Sequence, residues 1–311
     1  MKKLISIITP CYNEEENVRD IYQQVKAVFD KIGNHAYEHI FIDNASKDRT
    51  VEILKNIAGE DHNVKIIVNS RNFGVVRSPY YALLQSRGDA SIVVMADLQD
   101  PPHLIKDLID RWEQGYKIVL AIKEGSEESK LMFNIRKLYY KIYNKLSDVQ
   151  IVTNYCGFGL YDKQIIDILR MLDDPYPDLR SILGEMGFER ATFTYMQPVR
   201  KKGITKNNFY QLFNQAMLGI TSHSKVPLRL ATMIGFFVAV FSLTVALGYF
   251  VYKLLFWNSF SVGIAPLVIG LFFFSSVQMF FIGIIGEYIG AIHTQVLKRP
   301  LVIEKERINF D

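Results

Sequence analysis

Two long uncharged runs near the C-terminus place the tightest limit on how this 311-residue chain can fold. Residues 230–252 and residues 262–285 each lack Asp, Glu, Lys and Arg entirely. At about 1.5 Å per helical residue, either run can cross a hydrocarbon core about 30 Å thick. We therefore predict a hairpin of two transmembrane helices, at about 229–256 and 262–285, joined by a short turn around Asn258–Ser261. A pair of helices buried in a large soluble core is the alternative, and the length of the uncharged runs favours the spans.

The charges that flank these runs predict their orientation. Lys225 and Arg229 lie at the start of the first span, and only Lys253 lies near the turn. The second span is followed by His293, Lys298, Arg299, Lys305 and Arg307. Because positive side chains stay on the cytoplasmic side, we expect a multi-pass protein of the inner (cytoplasmic) membrane with both termini in the cytoplasm. Residues 1–20 are charged and lack a long apolar stretch, so no cleaved signal peptide is expected.

The first 225 residues show the alternating pattern of an α/β protein. Strand-like runs lie at 4–9, 39–43, 64–68, 90–95 and 116–121. Helix-like runs lie at 14–32, 50–57, 79–86 and 104–112. This alternation predicts a mostly parallel sheet wound on both faces. Two basic amphipathic stretches, at 130–146 and 209–220, are candidates either for membrane-surface helices or for solvated helices packed on the core.

Polar segments follow four of the predicted strands. They are Pro10–Glu14, Asp43–Asp48, Ser70–Gly74 and Asp97–Asp100. Because the carboxyl ends of parallel strands share one edge of a sheet, these segments predict a nucleoside-diphosphate site there. Carboxylates such as Asp97 at that edge commonly hold a divalent cation against phosphate oxygens, and a merely solvated strand end is the plainer alternative.

The same segments carry a resemblance to a known family. The set Pro10-Cys-Tyr-Asn-Glu14, Asp43-Asn-Ala-Ser-Lys-Asp48, Ser70-Arg-Asn-Phe-Gly74 and Asp97-Leu-Gln-Asp-Pro-Pro102 resembles the inverting glycosyltransferases of family 2, which have a GT-A fold. Two further segments, Arg200-Lys-Lys-Gly-Ile-Thr-Lys206 and Gly286-Glu-Tyr-Ile-Gly290 with Arg299-Pro300, are similar to polyprenyl-phosphate glycosyltransferases of the dolichyl-phosphate mannose synthase and GtrB types. The resemblance covers nearly the whole chain.

That resemblance implies an activity. A single sugar would pass from a nucleoside-diphosphate sugar, expected to be a UDP-hexose or UDP-N-acetylhexosamine, to polyprenyl (undecaprenyl) phosphate with inversion. The product would be a lipid-linked sugar for modification of O-antigen or cell-wall glycans, and the expected cofactor is Mg²⁺ or Mn²⁺. The acceptor is a phosphate monoester with a second pKa near about 6, so it needs cations more than it needs a general base.

The resemblance also implies roles for individual residues. The expected nucleotide-sugar-binding residues are Pro10, Tyr12, Asn13, Glu14, Asp43, Asn44, Ser46, Arg71, Asn72, Gly74 and Asp97. The expected catalytic residues are Asp97, which is also the metal ligand, Gln99, Arg200, Lys206 and Glu185. The lipid phosphate is expected to meet Arg200, Lys202, Thr205 and Lys206, a basic cluster that is equally suited to anchor lipid head groups.

The chain departs from the family pattern at the centre of the site. Met95 stands where the first of two metal-strand aspartates is usual, and Gly157 and Gly159 stand where an Asp and an Arg are usual. Asn44-Ala45 replaces a common Asp-Gly pair. Two accounts remain open, that the acceptor needs no base or that Glu185 supplies a carboxylate. A non-catalytic scaffold that binds nucleotide sugar or lipid is the alternative function.

The expected organisation has four parts. Residues 1–205 form the glycosyltransferase domain, 206–226 a juxtamembrane amphipathic helix, 227–292 the membrane hairpin and 293–311 a cytoplasmic tail. Glycines in the spans are suited to helix packing in a homo-oligomer. No nucleic-acid partner is expected. A processive polysaccharide synthase is excluded because the chain lacks a Gln-x-x-Arg-Trp motif and further spans.

Overall fold

A computed structural model describes residues 2–124, 152, 155–198, 226–256 and 264–310 of the chain. The basic amphipathic stretches at 130–146 and 209–220 lie outside the described residues, as do Arg200, Lys202, Thr205 and Lys206. The chain divides into two compact units. The first contains the described residues up to 198 together with 297–310, and the second contains 226–256 and 264–296.

The first unit alternates strands and helices. The strands are β1 (Leu4–Cys11), β2 (Ala36–Asp43), β3 (Val64–Asn69), β4 (Ala90–Val93), β5 (Ile118–Lys123), β6 (Tyr155–Asp162), β7 (Arg190–Tyr195) and β8 (Glu304–Ile308). The helices are α1 (Val18–Ile32), α2 (Thr50–Glu60), α3 (Gly74–Leu84), α4 (Ile105–Glu113), α5 (Lys163–Met171) and α6 (Leu179–Glu185), with a short 3-10 turn at Pro102–Leu104.

All eight strands belong to one mixed sheet in the order β7-β5-β6-β4-β1-β2-β3-β8. The central strands β4, β1, β2 and β3 are parallel neighbours. Strand β6 runs antiparallel to both β4 and β5, and β7 is parallel to β5. The predicted α/β fold of the GT-A type is confirmed, with antiparallel strands on both flanks of the parallel centre.

The apolar pattern of the strands explains this layering. Strand β1 is buried nearly throughout, and its side chains alternate between two hydrophobic clusters on opposite faces of the sheet. Helix α1 packs on one face through Val18 and Ile21, whereas α3 packs on the other through Tyr80 and Leu83. Burial on both faces is typical of strands in a doubly wound sheet.

Helix α3 differs from its prediction at the start. The helix predicted at 79–86 would have Pro79 in its first turn, where proline is favoured. The helix instead begins at Gly74, so Pro79 lies within it at the expense of one backbone hydrogen bond. Within the first unit, the strands and helices from β6 onward were not predicted from the sequence.

The C-terminal segment returns to the sheet. Strand β8 pairs antiparallel with β3 and covers its edge, and Asn309 donates from Nδ2 to the carbonyl oxygens of Ala58 and Val64, each at 2.9 Å. Val302 is buried. Residues 293–311 were expected to form a cytoplasmic tail, and strand β8 was not predicted.

The described part of the second unit consists of two long helices that contact each other, α7 (Val226–Leu255) and α8 (Ile264–Val296). Large apolar side chains on both are exposed, for example Phe241 at 69% and Phe272 at 68%. Within the described residues, one segment, Gly270–Val296, is long and apolar enough to cross a membrane, and α7 contributes a shorter apolar stretch at Val226–Ser242. The predicted two-span hairpin therefore stays a prediction.

Candidate active site

The loops after β1 and β2 are joined by hydrogen bonds at the carboxyl edge of the sheet. The backbone N–H of Asn13 donates to Oγ of Ser46 at 2.8 Å, and Oδ1 of Asn13 accepts from the N–H of Lys47 at 2.8 Å. The N–H of Glu14 donates to Oγ1 of Thr50 at 2.9 Å. Asn13 has a φ of +53°, a conformation that asparagine tolerates better than most residues. The two loops thus form one polar surface.

Asp43 is the last residue of β2 and lies buried beneath this polar surface. Its side chain is fully buried and accepts hydrogen bonds from the N–H and the hydroxyl of Ser46. Burial raises the pKa of Asp43, and the two Ser46 donors partly offset that effect. In this structure Asp43 therefore fixes the turn that carries Ser46.

Asn44 connects this loop to the loop after β3. Its Oδ1 accepts from Nδ2 of Asn69 at 3.2 Å and from the N–H of Phe73 at 2.8 Å. Its Nδ2 donates to Oδ1 of Asn72 at 3.0 Å and to the carbonyl oxygen of Gly74 at 3.1 Å. Both amide protons are used within the protein, so Asn44 shapes the site by bracing its loops. The bracing role of Asn69 was missed, because a single asparagine at a strand end carries no distinctive sequence signal.

The loop after β4 places Asp97 and Gln99 at the same edge, because β4 is the parallel neighbour of β1. Oδ1 of Asp97 accepts from the N–H of Gln99 at 3.1 Å, and Leu98 between them has a φ of +59°. Both side chains are half-buried. This tight turn places the carboxylate of Asp97 and the side-chain amide of Gln99 at the carboxyl end of β4.

Asp100 holds the same loop in place through buried hydrogen bonds. This role was not predicted from the sequence. The Asp100 carboxylate is buried and accepts from the hydroxyl of Tyr195 at 2.8 Å and from the N–H of Met95 at 3.4 Å. Burial raises the pKa of Asp100 to about 6. Because Tyr195 lies on β7, at the far end of the sheet order, no local spacing could reveal the pair.

Two of the departures from the family pattern face each other. A Cβ built on Gly157 would lie 3.7 Å from Cε of Met95, and Gly157 has a φ of +109°, a conformation that L side chains rarely adopt. A Cβ at Gly159 would lie 2.8 Å from the carbonyl oxygen of Val119. The backbone of β6 is therefore built around glycine at both positions.

The remaining predicted residues are placed as follows. Pro10 lies in β1, Tyr12 and Glu14 follow it, and Glu14 accepts from Nδ2 of Asn17 at 2.7 Å. Arg71 is exposed, and its Nη1 donates to the carbonyl oxygen of Asn72 at 3.0 Å. Glu185 is the last residue of α6 and is exposed. Four strand ends are thus brought together, whereas Glu185 belongs to α6 and not to any of these four loops.

Among the described residues, Asp97 is the main candidate ligand for a divalent cation. Among them, no group of three or more His, Cys, Asp and Glu side chains is arranged to hold a metal ion. Mg²⁺ nevertheless binds through one or two carboxylates when water and substrate phosphates supply its other ligands. A lone carboxylate at the strand edge fits that mode of binding.

Comparison with known proteins identifies the class. The fold is a GT-A-type sheet with its polar edge at the ends of β4, β1, β2 and β3, and the protein is a glycosyltransferase enzyme. Residues 6–169 match the family described as glycosyl transferase family 2, and the chain belongs to that family. The resemblance drawn from the sequence is confirmed.

Relatives match along nearly the whole length. The chain is 34% identical over 303 residues to the SfII prophage-derived bactoprenol glucosyl transferase of Shigella flexneri, covering 97% of each chain. It is 34% identical over 309 residues to the uncharacterized glycosyltransferase YkcC of Bacillus subtilis strain 168, covering 98% of this chain and 94% of the other. A glucosyl-3-phosphoglycerate synthase of Mycobacterium tuberculosis, solved with phosphoglyceric acid, shares the fold with a TM-score of 0.50 at 17% identity, covering 72% of this chain and 81% of that one.

Proposed function

We propose that this enzyme transfers one sugar from a nucleoside-diphosphate sugar, of the UDP-hexose or UDP-N-acetylhexosamine class, to the phosphate of a membrane polyprenol. The observation that carries the proposal is the 34% identity to a bactoprenol glucosyl transferase across 97% of both chains. The apolar segment Gly270–Val296 supports a membrane location, where a polyprenol acceptor presents its phosphate. In the proposed topology both spans cross the inner membrane and the glycosyltransferase domain, residues 1–205, faces the cytoplasm.

In the proposed mechanism, the linked loops after β1, β2 and β3 hold the nucleotide and its diphosphate. A phosphate oxygen of the acceptor attacks the anomeric carbon as the bond to the nucleoside diphosphate breaks, so the configuration inverts. A phosphate monoester is largely dianionic at neutral pH and carries no proton that must be removed. The reaction is therefore compatible with glycine at position 157, where no side chain is available as a base.

Charge compensation is the main contribution expected of the protein. Asp97 would hold Mg²⁺ or Mn²⁺, which when bound neutralises charge on the leaving diphosphate. Gln99 would orient the surroundings of Asp97, and Arg200 and Lys206, with Lys202 and Thr205, would hold the acceptor phosphate. Bringing two anions together without such cations is strongly disfavoured.

A second candidate function is a scaffold that binds nucleotide sugar or lipid without transfer. Met95, Gly157 and Gly159 motivate it, because each stands where the family usually carries a polar or charged side chain. The retention of Asp97, Gln99 and Arg71 on the same sheet edge favours the enzyme.

One assay distinguishes the transferase from the scaffold. The full chain in detergent is incubated with a panel of radiolabelled UDP- and GDP-sugars and a short polyprenyl phosphate, with Mg²⁺, with Mn²⁺ or with neither. Metal-dependent label in the lipid product from one donor supports the transferase and identifies its sugar. Donor binding by folded protein without any labelled lipid supports the scaffold.

A further inference from the structure

A cluster of three arginines on the first unit extends beyond the proposed donor site. The guanidinium carbon of Arg71 lies 4.0 Å from the centroid of the Phe73 ring, and that of Arg77 lies 5.5 Å from the same centroid. Arg77 also donates to the carbonyl oxygen of Pro300, the residue that follows Arg299. Burial lowers the pKa of Arg77, and the charges of Arg71 and Arg299 lower it further. We call Arg71, Arg77 and Arg299 the arginine cluster.

The arginine cluster has no counter-charge within the part of the chain that the structure describes. Arg71 and Arg77 donate to the backbone carbonyl oxygens of Asn72 and Pro300, and no described carboxylate lies within ion-pair distance of any of the three. Nε of Arg77 is buried without a hydrogen-bond partner. Like charges held this close repel each other, so binding of an anion would relieve a cost already present in the folded protein.

Exposed apolar side chains surround the arginine cluster. Val75, between Phe73 and Arg77 in the chain, is 69% exposed. Ile303 is 56% exposed, and its carbonyl oxygen accepts from the N–H of Ser70, beside Arg71. Tyr176 is exposed and lies close enough to affect Arg77 electrostatically. Cations ringed by exposed aliphatic and aromatic groups are typical of a surface that lies at a lipid interface.

The position of the arginine cluster in the chain selects the lipid surface over other anions. Arg299 follows Val296, the end of α8, by three residues, which span at most about 11 Å. If α8 crosses the bilayer as proposed, Arg299 is within reach of the phospholipid head groups. Arg77, by its bond to the Pro300 carbonyl, belongs to the same surface.

We propose that the arginine cluster and its apolar rim form a docking surface for anionic phospholipid head groups. Docking there would hold the carboxyl end of β3, and with it the donor-site edge, at the level where an acceptor phosphate lies. The inference rests on the membrane location given under the proposed function, and it is independent of which sugar is transferred. It assigns a role to Arg77, which the donor-site proposal leaves unused.

Hydrogen–deuterium exchange of the full chain in nanodiscs tests this surface without donor or acceptor. We expect segments 70–77 and 172–177 to exchange more slowly in phosphatidylcholine nanodiscs that contain phosphatidylglycerol than in phosphatidylcholine alone. The double variant Arg77→Gln/Arg299→Gln should weaken that protection by about fivefold for each arginine removed. The charge-retaining variant Arg77→Lys/Arg299→Lys should keep most of it. Arg19→Gln is the matched control, because Arg19 is exposed on α1, on the opposite face of the sheet from α3.

Three results of the comparison between lipids and variants would overturn the proposal. They are equal protection with and without phosphatidylglycerol, protection that survives the double Gln variant, and equal protection by inorganic phosphate added to phosphatidylcholine nanodiscs, which would indicate a free-phosphate site. If the Gln variant does not fold, the wild-type protein still decides, because head-group docking must weaken as salt is raised. Salt-independent protection would contradict docking. Transfer activity is not part of this readout, so failure of the proposed function remains distinguishable.

Discussion

Among single residues, Asp97 is expected to contribute most to the rate of sugar transfer. We expect Asp97→Asn to lower kcat by about 10²-fold or more, because charge on the leaving diphosphate would lose its partner. Lipid-product formation at saturating donor measures this. Asp107→Asn, at a half-buried position on α4 where the carboxylate lies 4.0 Å from Arg111, is the matched control and should leave the rate unchanged. An Asp97→Asn enzyme with the wild-type rate would show that Asp97 holds no catalytic metal.

Asp100 makes a separate prediction about stability. Burial raises its pKa in the folded protein from 3.8 to about 6, so the folded state binds this proton more tightly than the unfolded chain does. The stabilising contribution is therefore complete below the unfolded pKa and is lost as pH rises through the folded one. Asp100→Asn removes this titration. Between these two pKa values, the wild type should lose about 3 kcal/mol relative to Asp100→Asn.

Thermal unfolding of the two proteins across acidic and neutral pH measures the difference. The Tm of wild type should fall relative to that of Asp100→Asn as the pH rises. Parallel Tm profiles for the two proteins would mean that Asp100 is not the buried carboxyl described above. Because the comparison is a difference, other groups that titrate in the same range cancel.

At the scale of elements, β6 is the most constrained strand. Gly159→Ala should destabilise the protein by about 1–3 kcal/mol, because the new Cβ would lie 2.8 Å from the carbonyl oxygen of Val119 on the paired strand. Gly59→Ala is the matched control. It lies in α2 with nothing within 4 Å, and it should stabilise by about 1 kcal/mol. Equal Tm values for the two variants would contradict this packing of β5 against β6.

The first five strands could be predicted from the sequence, whereas β6 and the contacts between distant segments could not. Strands β1 to β5 have continuous apolar runs followed by polar turns, and their predicted positions agree with the structure to within a few residues. Strand β6 was missed because Gly157 and Gly159 interrupt its apolar pattern and carry no hydrophobic signal. The bracing by Asn44 and Asn69 and the Asp100–Tyr195 pair depend on contacts between distant segments, which periodicity does not encode.

At the scale of the whole molecule, β8 links the end of the chain to the catalytic sheet. Removal of residues 304–311 should lower the Tm of the first unit and promote aggregation, because the edge of β3 would be left unpaired. Removal of Asp311 alone is the matched control and should have no effect. Thermal unfolding with light scattering measures both changes. A shortened chain with an unchanged Tm would indicate that β8 contributes nothing to the sheet.

We propose, for the molecule as a whole, that this family 2 enzyme glycosylates a polyprenyl phosphate. The most direct measurement is the mass of the organic-extractable product formed by the full chain in proteoliposomes that contain polyprenyl phosphate and a UDP-sugar. We expect a species heavier than polyprenyl phosphate by one sugar residue, formed together with free UDP and formed about 10²-fold or more slowly with Asp97→Asn. UDP release at the same rate without polyprenyl phosphate, and no glycosylated lipid when it is present, would show that polyprenyl phosphate is not the acceptor.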